Sequence, residues 1–132
     1  MSETRYDQFG GEQFFTALVA DFYAGVAGDP DLRPMYPEDD LGPAEHRLRL
    51  FLMQYWGGPS TYSDERGHPR LRLRHQPFPI VAAARDRWLA HMRSALDARR
   101  LAPDLDAQMW NYLRSAAHAM LNVAPPGWVT PP

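Results

Sequence analysis

Five histidines are the side chains in this chain best suited to bind a metal, and one of them has unusual surroundings. They lie at positions 46, 68, 75, 91 and 118. His75 follows Leu71 and Leu73, has arginines at positions 70, 72 and 74 before it, and is followed by Pro77 and Pro79. The prolines restrict the backbone on that side. Because a neutral imidazole nitrogen is a common metal ligand, His75 is the candidate ligand, and an incidental role stays open.

The remaining composition excludes several kinds of chemistry. The chain has no cysteine, which removes disulfides, thiolate metal ligands, thiol nucleophiles and covalent C-x-x-C-H haem attachment. It also lacks H-E-x-x-H or a comparable tight cluster of histidines and carboxylates, which argues against a zinc enzyme. His46, His91 and His118 lie in segments with helical periodicity, where a surface or packing role is expected.

The length of the chain favours one small domain, and its net charge favours a small neutral ligand. The 132 residues, 45% hydrophobic and 23% charged, suffice for one core but not for two. The net charge of -2 and the absence of stacking aromatics in the basic run at 70–74 argue against nucleic acid. No apolar run is long enough for a signal peptide or a membrane span, so a cytoplasmic protein is expected.

Apolar residues recur at helical spacing in four long segments. The first follows Gly10-Gly11, and the second begins at Pro43 and ends before Gly57-Gly58. The third covers 81–96, and the fourth begins at Pro103 and continues to Met120. Four helices in two antiparallel pairs predict an all-α fold around a central cavity or cofactor.

The connections between these helices are rich in turn residues. The segment 28–42 is predicted to be irregular, with one short helical turn and an inward-facing Met35-Tyr36 pair. The polar segment 57–70 is long for a connection and is a candidate functional loop. The run 71–75 alternates apolar and basic residues and fits a strand or a short helical turn. The domain is predicted to cover 1–123, followed by a flexible proline-rich tail at 124–132.

Several short motifs occur in a characteristic order between residues 6 and 123. They are Gly10-Gly11, Phe22-Tyr23, the segment 36–40 (YPEDD), the segment 54–59 (QYWGGP), the segment 67–71 (GHPRL) and Arg74-His75, with Trp88 downstream. Together they resemble the group II truncated haemoglobins, and the actinobacterial members most closely. This resemblance implies a two-over-two helical sandwich around a b-type haem. In that family a histidine on a short proximal helix binds the iron, and the position falls on His75.

The resemblance also assigns the opposite, distal side of the haem. The family places two tyrosines and a tryptophan there, matching Tyr23, Tyr36 and Trp88. Iron-bound dioxygen has partial negative charge, so buried phenol or indole donors stabilise it by about 1 to 3 kcal/mol each. Ala44 and Leu48 match the two helix positions that face the ligand. From its spacing alone, each of the three aromatics is better explained as a core residue, and only their occurrence together in the family pattern favours the distal site.

Further residues are candidates for the haem pocket, although core packing or solvated surface explains each of them equally well. The expected apolar walls are Phe22, Met35, Phe51, Phe78 and Met92. The expected partners of the haem propionates are Arg47, Tyr62, His68 and Arg72.

The resemblance implies a haem protein that binds dioxygen, carbon monoxide or nitric oxide at ferrous iron. The alternative is a haem redox enzyme that reacts with peroxide or detoxifies nitric oxide. An unidentified reductase would supply its electrons. A haem-free helical interaction domain is the third reading. The sequence leaves homo-oligomer formation open.

Overall fold

The computed structural model describes residues 3–37, 39–67 and 81–120, which are helical with irregular connections and contain no strand. The helices are α1 (Arg5–Phe9), α2 (Gly11–Ala27), α3 (Gly42–Tyr55), α4 (Thr61–Arg66), α5 (Ala82–Asp97) and α6 (Pro103–Ala119), with a 3-10 helix at Arg33–Met35. Within these ranges no helix is long and apolar enough to cross a membrane.

Helix α2 lies at the centre of the core. It packs against α3 on one side and α5 on the other, and α6 packs against α5. Its apolar stripe, which the sequence predicted, is buried at Phe15, Leu18, Val19, Phe22 and Val26. The four long helices are therefore confirmed, with the predicted ends close to the observed ones. The predicted short helical turn in 28–42 is the 3-10 helix.

The sequence did not predict α1. Thr4 caps this helix by accepting from the Asp7 N–H, and the Asp7 carboxylate accepts from the Thr4 N–H. Gly10 then ends the helix at a φ of 124°, which a residue with a side chain rarely adopts. Five residues are too few to show an apolar period, so only the cap was available as a signal.

The prediction of an irregular loop at 57–70 is wrong for 61–66, which form α4. Tyr62 is buried from this helix. The side-chain amide of Gln54 on α3 accepts from the Ser63 N–H at 2.9 Å and donates to its hydroxyl at 2.7 Å. These tertiary contacts stabilise a helix whose exposed residues are polar. The strand-or-turn segment 71–75 and the tail 124–132 lie outside the described residues.

Gly25 permits close packing between α2 and α5. A Cβ atom at this position would lie 2.5 Å from Nδ1 of His91. We expect Gly25→Ala to reduce the free energy of unfolding by about 1 to 3 kcal/mol, because the His91 ring must move to make room. Denaturant titration measures the effect. Gly28→Ala is the matched control, since its nearest contact would be at 3.9 Å. Equal stability of the two variants would contradict this packing role.

Candidate functional site

A cavity of about 440 Å³ lies between the helices and the segment after the 3-10 helix. This volume is within the range of pockets that bind cofactors. Nine of the residues singled out in the sequence line it: Tyr23, Met35, Tyr36, Ala44, Arg47, Leu48, Phe51, Tyr62 and Trp88. Side chains from α2, α3, α4 and α5, distant in sequence, therefore converge on one space.

Tyr23, Tyr36 and Trp88 form the distal trio, a hydrogen-bonded group in the cavity wall. The side chain of Tyr36 is hydrogen bonded to those of Tyr23 and Trp88. The Tyr23 and Tyr36 rings meet edge to face, with centroids 5.7 Å apart. Burial raises the pKa of the Tyr36 phenol above its ordinary value, although the two hydrogen bonds act in the opposite direction. Tyr36 is therefore a protonated phenol at neutral pH.

The donors and acceptors of the trio allow one proton to be directed at a ligand. An indole has only a donor, so the Trp88 N–H donates to the Tyr36 oxygen. A phenol oxygen accepts two hydrogen bonds while its own O–H donates one. When the Tyr23 hydroxyl also donates to Tyr36, the Tyr36 O–H remains available to an acceptor in the cavity. The trio can thus present a buried, oriented donor to a small polar ligand.

Phe22 and Met92 were predicted as pocket walls, but neither is among the described residues that line the cavity. Both are fully buried. The Phe22 ring lies 4.9 Å from the rings of both Tyr23 and Trp88, so it supports two members of the trio from the core side. When one face of a helix borders both the core and the cavity, the helical period does not show which apolar residue lines the cavity and which is buried in the core.

Other cavity residues were missed in the sequence. The largest are Arg66 of α4, Arg85 of α5 and Tyr112 of α6, and smaller α6 residues include Leu113, Ala116 and Ala117. Arg85 precedes Trp88 by three positions and so shares its helix face, which was an available signal. The α6 residues gave only a general apolar period. Arg47, Arg66 and Arg85 thus add three cations, from three helices, to a largely apolar lining.

This lining fits the haem that the sequence implied. Haem is a flat, mainly apolar macrocycle with two carboxylates, and it needs apolar walls together with cations for those carboxylates. Leu48 and Phe51 of α3 and Leu113 of α6 are apolar walls, while arginines are present in the same cavity. The proposed iron ligand His75, together with His68, Arg72 and Phe78, lies outside the described residues, so their roles stay predictions.

Comparisons with known protein families and with known proteins place this chain in the same family. Residues 4–122 match the family described as bacterial-like globin. The chain is 40% identical over 112 residues to group 2 truncated hemoglobin YjbI of Bacillus subtilis, covering 85% of this chain and 84% of that protein.

Solved structures agree with the sequence matches. A thermostable hemoglobin from the actinobacterium Thermobifida fusca is 63% identical, with a TM-score of 0.92 over 93% of this chain and 100% of that one. The group II truncated hemoglobin of Bacillus anthracis is 36% identical, with a TM-score of 0.90 over 96% and 98% of the two chains. The predicted two-over-two helical fold is therefore confirmed.

Proposed function

Because this chain belongs to the bacterial-like globin family, and within it to the group II truncated haemoglobins, we propose that it binds haem b and holds dioxygen beside the distal trio. Carbon monoxide and nitric oxide are the other diatomic ligands of the proposed site. The observation that supports this function best is the hydrogen-bonded Tyr36 in an otherwise largely apolar cavity.

The chemistry divides between the cofactor and the chain. Haem supplies a ferrous iron that binds diatomic ligands and leaves partial negative charge on dioxygen. The trio would offer hydrogen-bond donors to that charge, and burial would strengthen each hydrogen bond by excluding water. Ala44 and Leu48 leave a small apolar space beside these donors. A pocket that excludes water would favour reversible binding over oxidation of the iron.

The chain also has to hold the cofactor. We assign the iron ligand to His75 on the strength of the family resemblance. Histidines that bind a metal almost always need a hydrogen-bond acceptor for the second ring nitrogen. Arg47, Arg66 and Arg85 are the proposed partners of the propionates, since arginine forms charge-assisted hydrogen bonds with carboxylates. The Arg85 guanidinium already lies 3.0 Å from Nδ1 of His118, which limits its freedom.

Haem binding is tested directly by titrating the haem-free protein with haemin. We expect a Soret band that saturates at one haemin per chain, followed by reversible spectral changes when the reduced protein meets dioxygen. Haemin in buffer without protein is the control. If the band matches that control throughout the titration, the proposed function is wrong.

A second candidate function, peroxide-dependent oxidation, is favoured by a stack of aromatic residues that leads from the cavity to the surface. Tyr112 lines the cavity, and its ring stacks on Tyr55 at a centroid distance of 3.8 Å. Tyr55 is 51% exposed. Burial, and then the neighbouring Tyr55, raise the pKa of Tyr112, so the buried phenol retains its proton.

The corresponding reaction balances without a further reductant. Two tyrosine side chains each lose one electron and one proton, and hydrogen peroxide takes up both electrons and both protons to become two waters. The two oxidised phenols, on two exposed Tyr55 residues of different molecules, then join through a carbon–carbon bond as dityrosine.

We expect Tyr55→Phe to remove most of the dityrosine that forms when the haem-loaded protein is treated with peroxide, because the exposed end of the stack is lost. Dityrosine fluorescence and covalent dimers on a denaturing gel measure the product. Tyr6→Phe is the control, since Tyr6 stacks on Phe15 and does not line the cavity. Undiminished dityrosine in Tyr55→Phe would exclude this route.

A further inference from the structure

A buried carboxylate outside the cavity joins two of the elements that present the distal trio. Asp29 is only 6% exposed. Arg87 of α5 donates to it through Nε, at 3.0 and 3.1 Å from the two oxygens, and Nη2 of Arg87 lies 3.0 Å from Oδ1. His91, one turn later on α5, places Nε2 2.7 Å from Oδ2. We call Asp29, Arg87 and His91 the Asp29 cluster.

The same carboxylate organises the turn that leads to Tyr36. Oδ1 of Asp29 accepts from the N–H groups of Asp31 at 2.9 Å and Leu32 at 3.2 Å. The Asp29 carbonyl accepts from the Arg33 N–H at 2.9 Å, and the Arg33 carbonyl accepts from the Tyr36 N–H at 3.1 Å. The Arg33 guanidinium also donates to the Tyr36 carbonyl at 3.0 Å. The Tyr36 backbone is therefore fixed relative to Asp29 through Arg33.

On the other side, the partners of Asp29 flank Trp88. Arg87 is adjacent to Trp88 on α5, and His91 lies three positions beyond it. Asp29 itself lies two residues after the end of α2, the helix that presents Tyr23. One carboxylate thus connects the turn that bears Tyr36 to the helix that bears Trp88, and these two side chains are hydrogen bonded to each other.

The carboxylate of Asp29 stays ionised near neutral pH. The hydrogen bonds from Arg87, and then from His91, hold the pKa of Asp29 well below its usual range. Hydrogen bonds between ionised partners are shorter and stronger than neutral ones, and the two-point contact with arginine also fixes orientation. Because these donors already engage both carboxylate oxygens, the cluster is better suited to hold elements in place than to bind a ligand.

We propose that Asp29 is a positioning residue that sets the separation of Tyr36 and Trp88 and thereby the strength with which the cavity holds dioxygen. This inference rests on the proposed haem function. Its physical basis is that a hydrogen bond weakens steeply as its distance and angle depart from the optimum. Loss of the Asp29 charge loosens both elements at the point where they meet.

The test compares two carboxylate replacements whose partners lie on the same helix. Asp29→Asn keeps the side-chain shape but removes the charge. Asp106→Asn is the matched control, because Asp106 pairs with Arg93 of α5 at 2.6 Å and does not line the cavity. We expect dioxygen to leave Asp29→Asn about three- to tenfold faster than the unaltered protein, since part of one hydrogen bond is lost. Asp106→Asn should leave that rate unchanged.

A second readout separates positioning from a general loss of stability. In the carbon monoxide complex, the Trp88 indole N–H should exchange with solvent faster in Asp29→Asn than in Asp106→Asn, as followed by NMR. Arg87→Gln should give the same pattern, and it replaces Asp29→Asn where that variant folds poorly. Failure of the unaltered protein to bind haemin would count against the proposed function. Full haem binding with equal release and exchange rates in Asp29→Asn and Asp106→Asn would overturn the positioning role.

Discussion

Replacement of Trp88 by phenylalanine is expected to raise the dissociation rate of dioxygen by about 5- to 150-fold, the equivalent of about 1 to 3 kcal/mol. The substitution removes the indole N–H that donates to Tyr36 but keeps an aromatic ring to pack on Phe22, 4.9 Å away. Without that donor, the Tyr36 phenol loses one of the two contacts that orient it. Stopped-flow displacement of dioxygen by carbon monoxide measures the rate.

The control for this substitution is Trp110→Phe. Trp110 lies on α6, where the Arg93 guanidinium sits 4.9 Å from its ring, and it does not line the cavity. A donor in the same network can partly replace a lost one, so Trp88→Phe should also be combined with Tyr23→Phe to measure their coupling. If Trp88→Phe releases dioxygen no faster than Trp110→Phe, the indole does not contribute to ligand binding.

Replacement of His75 by glycine is expected to remove the iron ligand supplied by the chain. The Soret band of the reduced protein should change position and intensity, and haemin should leave the variant much faster, because packing and propionate contacts alone remain. Imidazole added to the solution should restore the original spectrum by occupying the vacated position. The change in the Soret band and in the rate of haemin loss should be larger than in any variant of Tyr23, Tyr36 or Trp88, because the bond from the chain to the iron is lost.

His46→Gly serves as the matched histidine control. His46 is exposed on α3, where Nε2 lies 3.2 Å from the Glu65 carboxylate, and it does not line the cavity. The spectrum of His46→Gly should match that of the unaltered protein. An unchanged spectrum in His75→Gly would show that another group binds the iron, and the proximal assignment would be wrong.

The long helices could be predicted from the sequence because each has apolar residues at the helical period, some of which are buried. On α2, the apolar residues Phe15, Leu18, Phe22 and Val26 recur at the helical period, and all four lie in the core. Helix α4 could not be predicted in this way, since Tyr62 is its only buried residue and its stability depends on contacts with Gln54 of α3. A short helix stabilised by tertiary contacts leaves little periodic signal in its own sequence.

The candidate site could be predicted only partly, and for a different reason. The resemblance to a family singled out Tyr23, Tyr36 and Trp88, whereas their spacing alone did not separate cavity residues from core residues. Arg85 and Tyr112 were missed because a partly exposed arginine and a helical aromatic are ordinary in any helix.

The Asp29 cluster also could not be predicted from the sequence. Asp29 lies in a turn-rich segment where an aspartate is commonly solvated. Its partners Arg87 and His91 are 58 and 62 positions away in the chain, so no local pattern joins them. Only the packing of α2 against α5 brings these residues together.

The central claim is that the distal trio controls how long dioxygen stays in the cavity. The most direct measurement is the dissociation rate of dioxygen from the unaltered ferrous protein, compared with a variant in which Tyr23, Tyr36 and Trp88 are all phenylalanine. We expect release from the unaltered protein to be slower by at least the factor expected for Trp88→Phe alone. Equal rates in the two proteins would contradict the claim.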